Sequence, residues 1–407
     1  MLDDWITEEA IPFSLDDPGT FDAAVDRLVA SSGCPTVLLG LGEALHGGEE
    51  ILLLRNRLFR RLVEAHGYCA IAIESSLPRA RATNEYVAGR GPTTYEEVRE
   101  TGFSHGFGRL EANRELVEWM REYNADPSCD VTLRFYGFDS PTEMTHTDSP
   151  RGLLVLVLEY LATVDGASAR EHRERIEPLL GRDADWENPA AMMDPAQSVG
   201  LSPAAAALRT ATEDLIAELQ VRRPELAATS GNDLYLEALH YASAARQLLT
   251  YHAILARPSD ATDRIVRGLG MRDAMMADNL AFIVSREKSR GRVLAFAHNS
   301  HLRRGQAKWQ LGPHALAWYT AGAQLDAIFG RGYVAIGSAV GVSEANGIGR
   351  PEPGTLEARL TAAPGPARFI PTHRGAELPA ADVVALPTRS GSAKNSTYFP
   401  LTPESLV

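Results

Sequence analysis

The chain has 407 residues, enough for two or three domains or for one large α/β domain carrying an insertion, and enough to bury a sizeable core. With 44% hydrophobic and 23% charged residues it reads as globular rather than disordered. The 40 Lys and Arg face 53 Asp and Glu, a formal charge of −13, and such an acidic surface repels phosphate backbones, so nucleic acid is not an expected partner.

In chain order, residues 21–30 carry helical spacing at Phe21, Val25, Leu28 and Val29. Residues 37–40 are continuously apolar and bounded by Pro35 and Gly40, the pattern of a strand buried on both faces. An amphipathic helix rich in Leu and Arg follows over 50–64, then a second buried strand over 68–73. Helical patterns occupy 78–88, 95–100 and 110–124, and 131–138 reads as a third strand. Strands alternating with helices imply βαβ units and a mostly parallel sheet. From 152 to 288 the pattern is almost wholly helical, with breaks near 183–202 and 224–232. A buried-strand pattern returns at 292–297 and again at 333–340. Short apolar runs at 367–370 and 383–386 suggest strands at the sheet edge.

The expected fold is therefore α/β, a mostly parallel sheet flanked by helices, with a large helical insertion or cap forming a deep cleft. Residues 1–150 form the first half of the core, 151–288 the cap, and 289–407 the second half with the C-terminal edge. The three cysteines, Cys34, Cys69 and Cys129, are odd in number and widely spaced, which suits a reducing cytoplasm. The acidic N-terminus lacks the apolar core of a signal peptide, and the longest aliphatic run, 153–158, is too short to span a bilayer. The expected location is cytoplasmic, with no membrane partner.

Polar residues gather just after the strand patterns. Glu43 and His46 follow the first and Glu74 the second; Asp139 follows the third, and His298 and His301 the fourth. In open parallel sheets the ligand crevice lies outside the carboxyl ends of the strands, so loops remote in sequence are expected to meet in one cleft. There His46 is the candidate general base, and Glu43 and Glu74 are candidates to orient it and stabilise its imidazolium. Arg55 could anchor a carboxylate or a developing oxyanion. His298 and His301 could hydrogen-bond the same oxyanion or protonate a leaving alcohol, and Asp139 could contact substrate or merely cap a turn. Arg272 and Asp273 read as an ion-paired helix surface, and His105, His146 and His314 have no evident partners.

Competing chemistries have weaker signals. His and Glu at these spacings could bind zinc, but no His-Glu-x-x-His helix is present, so no metal is expected. There is no Gly-x-Ser-x-Gly elbow; Ser75 and Ser76 lack its glycines, and Cys69 lies inside a strand pattern. No Walker loop or Gly-x-Gly-x-x-Gly follows a strand, so no cofactor is expected.

The segments Gly42-Glu-x-x-His46-Gly, Glu50 with Arg55, Ala72-Ile-Glu74 and Tyr136-Gly-Phe-Asp139 resemble the erythromycin esterase family, as do Met271-Arg-Asp273 with Asn279 and Ala297-His-Asn-x-His301. The resemblance covers roughly residues 36–340. It implies a metal-independent hydrolase in which the histidine of Glu-x-x-His activates water to open a macrolide lactone. It makes His46 the base and places Glu43, Arg55, Glu74, His298 and His301 in the cleft. Gly47-Gly48 after His46 departs from macrolide-cleaving members, which are expected to carry a bulkier residue there, and Leu45 stands where small polar residues are common.

The expected activity is hydrolysis of a carboxylic ester, a lactone or bulky natural-product ester, by His-activated water. A transesterase or cyclase using the same base on a substrate hydroxyl is one alternative, and a non-catalytic small-molecule binding protein another. The expected partner in each case is a small molecule.

Overall fold

The computed structural model describes residues 2–31, 33, 36–142, 147–372 and 386–402. Its centre is a five-stranded sheet built from β1 (Leu38–Glu43), β2 (Tyr68–Ser76), β3 (Arg134–Asp139), β4 (Arg292–His298) and β5 (Tyr333–Ile336). The strand order is β3-β2-β4-β1-β5 and every pairing is parallel. Returning from the long helical excursion, β4 inserts between β1 and β2. The order of the strands thus turns about β1 and β4, which is where open α/β sheets form their crevice.

Alternating residues of each strand feed two cores, as the pleat requires. Leu39, Leu41, Ile71, Ile73, Phe135, Leu294 and Phe296 pack with Leu58, Phe59, Leu116 and Met120 from the helices Glu49–His66 and Glu111–Ala125. On the other face Leu38, Ala70, Ala72, Phe138, Val293 and Ala295 meet Met276, Leu280 and Ile283 of the helix Ala261–Glu287. The helices Arg151–Val164, Pro203–Val221 and Asn232–Leu255 share a third, separate core around Leu154, Val157, Leu208, Leu215 and Leu248. The helical portion is thus a layer with its own interior. The helix Ala261–Glu287 instead lies directly against the sheet.

Several boundaries differ from the sequence expectation. The first strand does not stop at Gly40 but runs through Gly42 to Glu43. Gly42 is required there by crowding, because a Cβ would sit 2.3 Å from Asn299 Oδ1. The expected break over 224–232 is largely a helix, Arg223–Ser230, since Pro224 occupies its first turn, where no N–H is needed. The strand expected over 333–340 ends at Ile336. Ala367–Phe369 pairs antiparallel with Ile11–Phe13, apart from the main sheet, and a hairpin, Gln306–Leu311 with His314–Tyr319, follows β4. Residues 383–385 of the other expected edge strand, together with Cys34 and His146, lie outside the described residues. Cys69 and Cys129 are free thiols. No helix among the described residues is long and apolar enough to cross a membrane.

Candidate active site

Glu43, the last residue of β1, pairs in register with His298, the last residue of β4. That single pairing brings the early Glu-x-x-His segment and the late His-Asn-Ser-His segment together. After Glu43 the chain turns sharply; Gly47 has φ 73°, a left-handed conformation open to glycine at little cost. The turn folds His46 back so that its Nδ1 lies 2.7 Å from Glu43 Oε1. With Nδ1–H donating to that carboxylate, Nε2 is the basic nitrogen, and it faces Glu74 Oε1 at 4.0 Å. Glu43 is buried, whereas a quarter of the His46 side chain is exposed. Burial opposes the imidazolium, but the charge of Glu74 and the bond and charge of Glu43 outweigh it and raise the His46 pKa. Burial raises Glu43 as well, against the pull of His46.

Glu74 is the hub. Its Oε1 accepts from Arg272 Nη2 at 3.0 Å and lies 3.3 Å from His301 Nε2, while Oε2 accepts the His298 backbone N–H at 2.8 Å. Burial alone would raise its pKa, yet His301, His46 and Arg272 hold the carboxyl well below the usual range. The other ring nitrogen of His301, Nδ1, meets Asp273 Oδ1 at 2.9 Å. Asp273 is fixed in turn by Trp318 Nε1 at 2.6 Å and the Ala321 N–H at 2.8 Å. Burial works against a charged His301, but a carboxylate at each end pushes its pKa up to about 10, so the ring is an imidazolium at neutral pH.

His298 is different. Its Nδ1 accepts from the Ser300 N–H at 3.1 Å and lies 2.7 Å from Ser300 Oγ. Its Nε2 donates to the carbonyls of Thr397 and Ala44, at 3.0 and 3.3 Å. Burial, with the nearby charge of His46, lowers its pKa to about 3. Both nitrogens are committed to local bonds, so His298 is a neutral brace between loops and a poor proton carrier. The Ser300–His298 contact is equally a poor nucleophile pair, because so weak a base takes little of the hydroxyl's proton.

The two residues expected to touch substrate are placed deeper than that. Arg55 has no exposed surface; its guanidinium bonds Asn56 Oδ1 at 2.7 Å and lies 4.8 Å from the centre of the Phe296 ring. Burial lowers its pKa to about 10 although Glu43 opposes this, so it is a buried cation acting on the dyad from within. Asp139, also fully buried, accepts from Arg272 Nε at 3.0 Å and Nη2 at 2.7 Å.

Sequence reasoning missed three contributors. Arg272 and Asp273, read as a helix surface, are 7% and 0% exposed and supply the charges around Glu74 and His301. His105, read as partnerless, lies 2.9 Å through Nε2 from Asp139 Oδ2, with its ring 6.5 Å from that of His46 and 5.3 Å from Phe107. Among the described residues it is the only non-glycine with positive φ, 55°, a local cost of the kind that gathers at functional sites. His314 bonds Thr262 Oγ1 at 2.8 Å.

Glu74, His105 and Asp139 place one potential ligand atom each within 4.8 Å of one another, the spacing of a cation site among the described residues. Arg272 already lies between the two carboxylates and neutralises them. A divalent ion there would meet a fixed positive charge, so these residues fit a guanidinium better than a metal.

Residues 63–404 match the sequence profile of the erythromycin esterase family. Among characterised proteins, the erythromycin esterase type II of Escherichia coli is 26% identical over 315 residues, covering 74% of this chain and 69% of that protein. Three solved structures share the fold. A Bacillus cereus protein superposes with TM-score 0.70 at 19% identity, covering 95% of this chain and 88% of the other. A succinoglycan biosynthesis protein gives 0.62 at 23% identity, covering 83% and 74%. A histidine-to-asparagine mutant of the erythromycin esterase EreC, in an open conformation, gives 0.57 at 20% identity, covering 79% and 73%.

Proposed function

The chain belongs to the erythromycin esterase family, whose kinship points to hydrolysis of esters, and from that premise we propose that it opens a lactone or a bulky natural-product ester with water activated by His46. The observation that carries this reading is the pairing of Glu43 with His298, which puts the Glu43–His46 dyad, Glu74 and the cationic His301 around one point.

In the proposed cycle His46 Nε2 takes a proton from water as the hydroxide oxygen bonds to the ester carbon. The resulting oxyanion is stabilised by positive charge held in advance on His301 and Arg272. When the tetrahedral species collapses, the carbon–alkoxide bond breaks and the alkoxide takes the proton back from His46. Glu43 keeps Nδ1–H in place throughout, and no residue is acylated. Arg272 occupies the space between Glu74 and Asp139, and no step of this cycle calls on a metal. The partner is thus a small-molecule ester.

A turnover panel of macrolides, smaller lactones and bulky esters, read by mass spectrometry, tests the proposal. Hydrolysis adds one water to the mass, whereas cyclisation or acyl transfer does not. In ¹⁸O-water the label is expected in the acid product. His46→Ala should lower turnover by about 10²–10⁴-fold, while Ser300→Ala and dialysis against a chelator should leave it near wild type. Loss of activity in Ser300→Ala, with His46→Ala still active, would replace this reading by a serine nucleophile.

A further inference from the structure

The last described stretch of the chain, residues 386–402, has no helix or strand, yet it lies across the catalytic turn. Its contacts there are specific. Thr397 Oγ1 accepts the backbone N–H of His46 at 2.9 Å from 351 positions away in the chain. The same hydroxyl donates to Asn395 Oδ1 at 2.6 Å. Asn395 Nδ2 in turn donates to the His46 carbonyl at 3.2 Å. Two residues after Thr397, the Phe399 N–H donates to the Ala44 carbonyl at 3.0 Å. The Thr397 carbonyl accepts from His298 Nε2 at 3.0 Å, and the Phe399 ring stands edge-on to the His298 ring at 4.9 Å.

We propose that this segment is a working part of the site and that Thr397 is its positioning residue. The hydroxyl fixes the main chain that carries the base, and the carbonyl holds the protonated nitrogen of His298. One residue thereby couples the turn after β1 to the turn after β4. The proposal rests on the hydrolase reading above, in which His46 is the base.

The chemistry supports a positioning role over a purely cohesive one. His46 lies in the turn after β1, directly before Gly47 with its left-handed conformation, and within this turn no helix or strand ladder holds its backbone. Its peptide N–H and C=O are instead both held by the segment, through Thr397 and Asn395. The ring direction that sets the 2.7 Å bond to Glu43 and the 4.0 Å approach to Glu74 therefore depends on that grip. Sub-ångström displacement of a reacting group is enough to lower a rate substantially, with about 100-fold lost for 1 Å.

The test compares Thr397→Val, which keeps the shape and removes the hydroxyl, with Thr397→Ser, which keeps the hydroxyl. On an ester turned over by the wild type, Thr397→Val is expected to lower kcat by about 10–100-fold with KM little changed, and Thr397→Ser to restore it to within about threefold. The second readout needs no substrate: titration of the His46 ring followed by NMR. In the wild type the ring titrates above the ordinary histidine value of 6.5, and in Thr397→Val it should fall back toward that value as the carboxylates lose register. If Thr397→Val folds poorly, Asn395→Ser, which removes the donor to the His46 carbonyl, should produce the same changes to a smaller degree. Wild-type kcat together with an unmoved His46 titration in a folded Thr397→Val protein would overturn the proposal. If the wild type hydrolyses no ester in the panel, the hydrolase reading fails, and the titration still decides whether Thr397 positions the ring.

Discussion

Two buried carboxylates sit at opposite ends of the same sheet, and the contrast between them identifies the working end. At the carboxyl ends of the strands, Glu74 is surrounded by His46, His301 and Arg272. At the amino ends, Glu287 is surrounded by Arg134 at 2.9 Å, the Tyr136 hydroxyl at 2.5 Å, Arg290 and the Cys69 thiol. Glu287 is 0% exposed and Glu74 2%, so burial does not distinguish them. The partners do. Burial, with the charge of Glu287, pushes the Cys69 thiol up to about 12 and the Tyr136 hydroxyl higher still, so neither of these gives up its proton at a working pH. Those of Glu74 include two imidazoles, one of them partly open to solvent. A buried carboxylate among arginines is a clamp; one among imidazoles can take part in proton transfer.

The comparison can be broken most directly by His46→Ala. It should lower kcat/KM by about 10²–10⁴-fold, the usual contribution of a positioned base, while leaving thermal unfolding nearly unchanged. The mirror experiment is Glu287→Ala. It leaves the partly exposed Arg134 and Arg290 without their carboxylate and should cost up to about 3 kcal/mol in urea unfolding, while the activity per folded molecule stays close to wild type. If Glu287→Ala were catalytically dead yet stable, the distinction between the two ends would fail.

Asp273→Asn sharpens the contrast further. It removes one of the two carboxylates that hold His301 as a cation, so the alkaline limb of the rate profile, expected near pH 10 in the wild type, should move down. The same shift governs stability. The His301 pKa is raised in the folded state, so its contribution is complete below the unfolded value of about 6.5 and is lost as pH rises through about 10. Unfolding midpoints measured between pH 7 and 10 should therefore fall less steeply in Asp273→Asn. The smallest effect is expected from Glu43→Gln. His46 is raised above 6.5, so it becomes a free base only above that pH, and kcat/KM should rise with pH along an acid limb set by this group. Removing the Glu43 charge should shift that limb down and lower the plateau, which a pH–rate profile reads directly.

The sequence by itself determined the sheet and the neighbourhood of the chemistry. Runs such as 68–73 and 292–297 are apolar at every position because both faces of a parallel strand are buried, and that pattern is visible without coordinates. Polar residues that end such runs must emerge at one rim, which is why Glu43, His46, Glu74, Asp139, His298 and His301 were legible as a set. Their division of labour was not. His298 and His301 are three residues apart and chemically identical in sequence. One is neutral because two carbonyls and a backbone N–H surround it; the other is cationic because Asp273 and Glu74 do. Helical spacing placed Arg272 and Asp273 on a helix but could not say that this face meets the sheet. Nor did any local pattern in His105 or Thr397 announce their partners, Asp139 and the His46 backbone. Local patterns report how a residue relates to its own helix or strand, whereas proton affinity depends on charges and dipoles within a few ångströms, and here many of those arrive from other segments, from 28 positions away for Asp273 and His301 to 351 for Thr397 and His46.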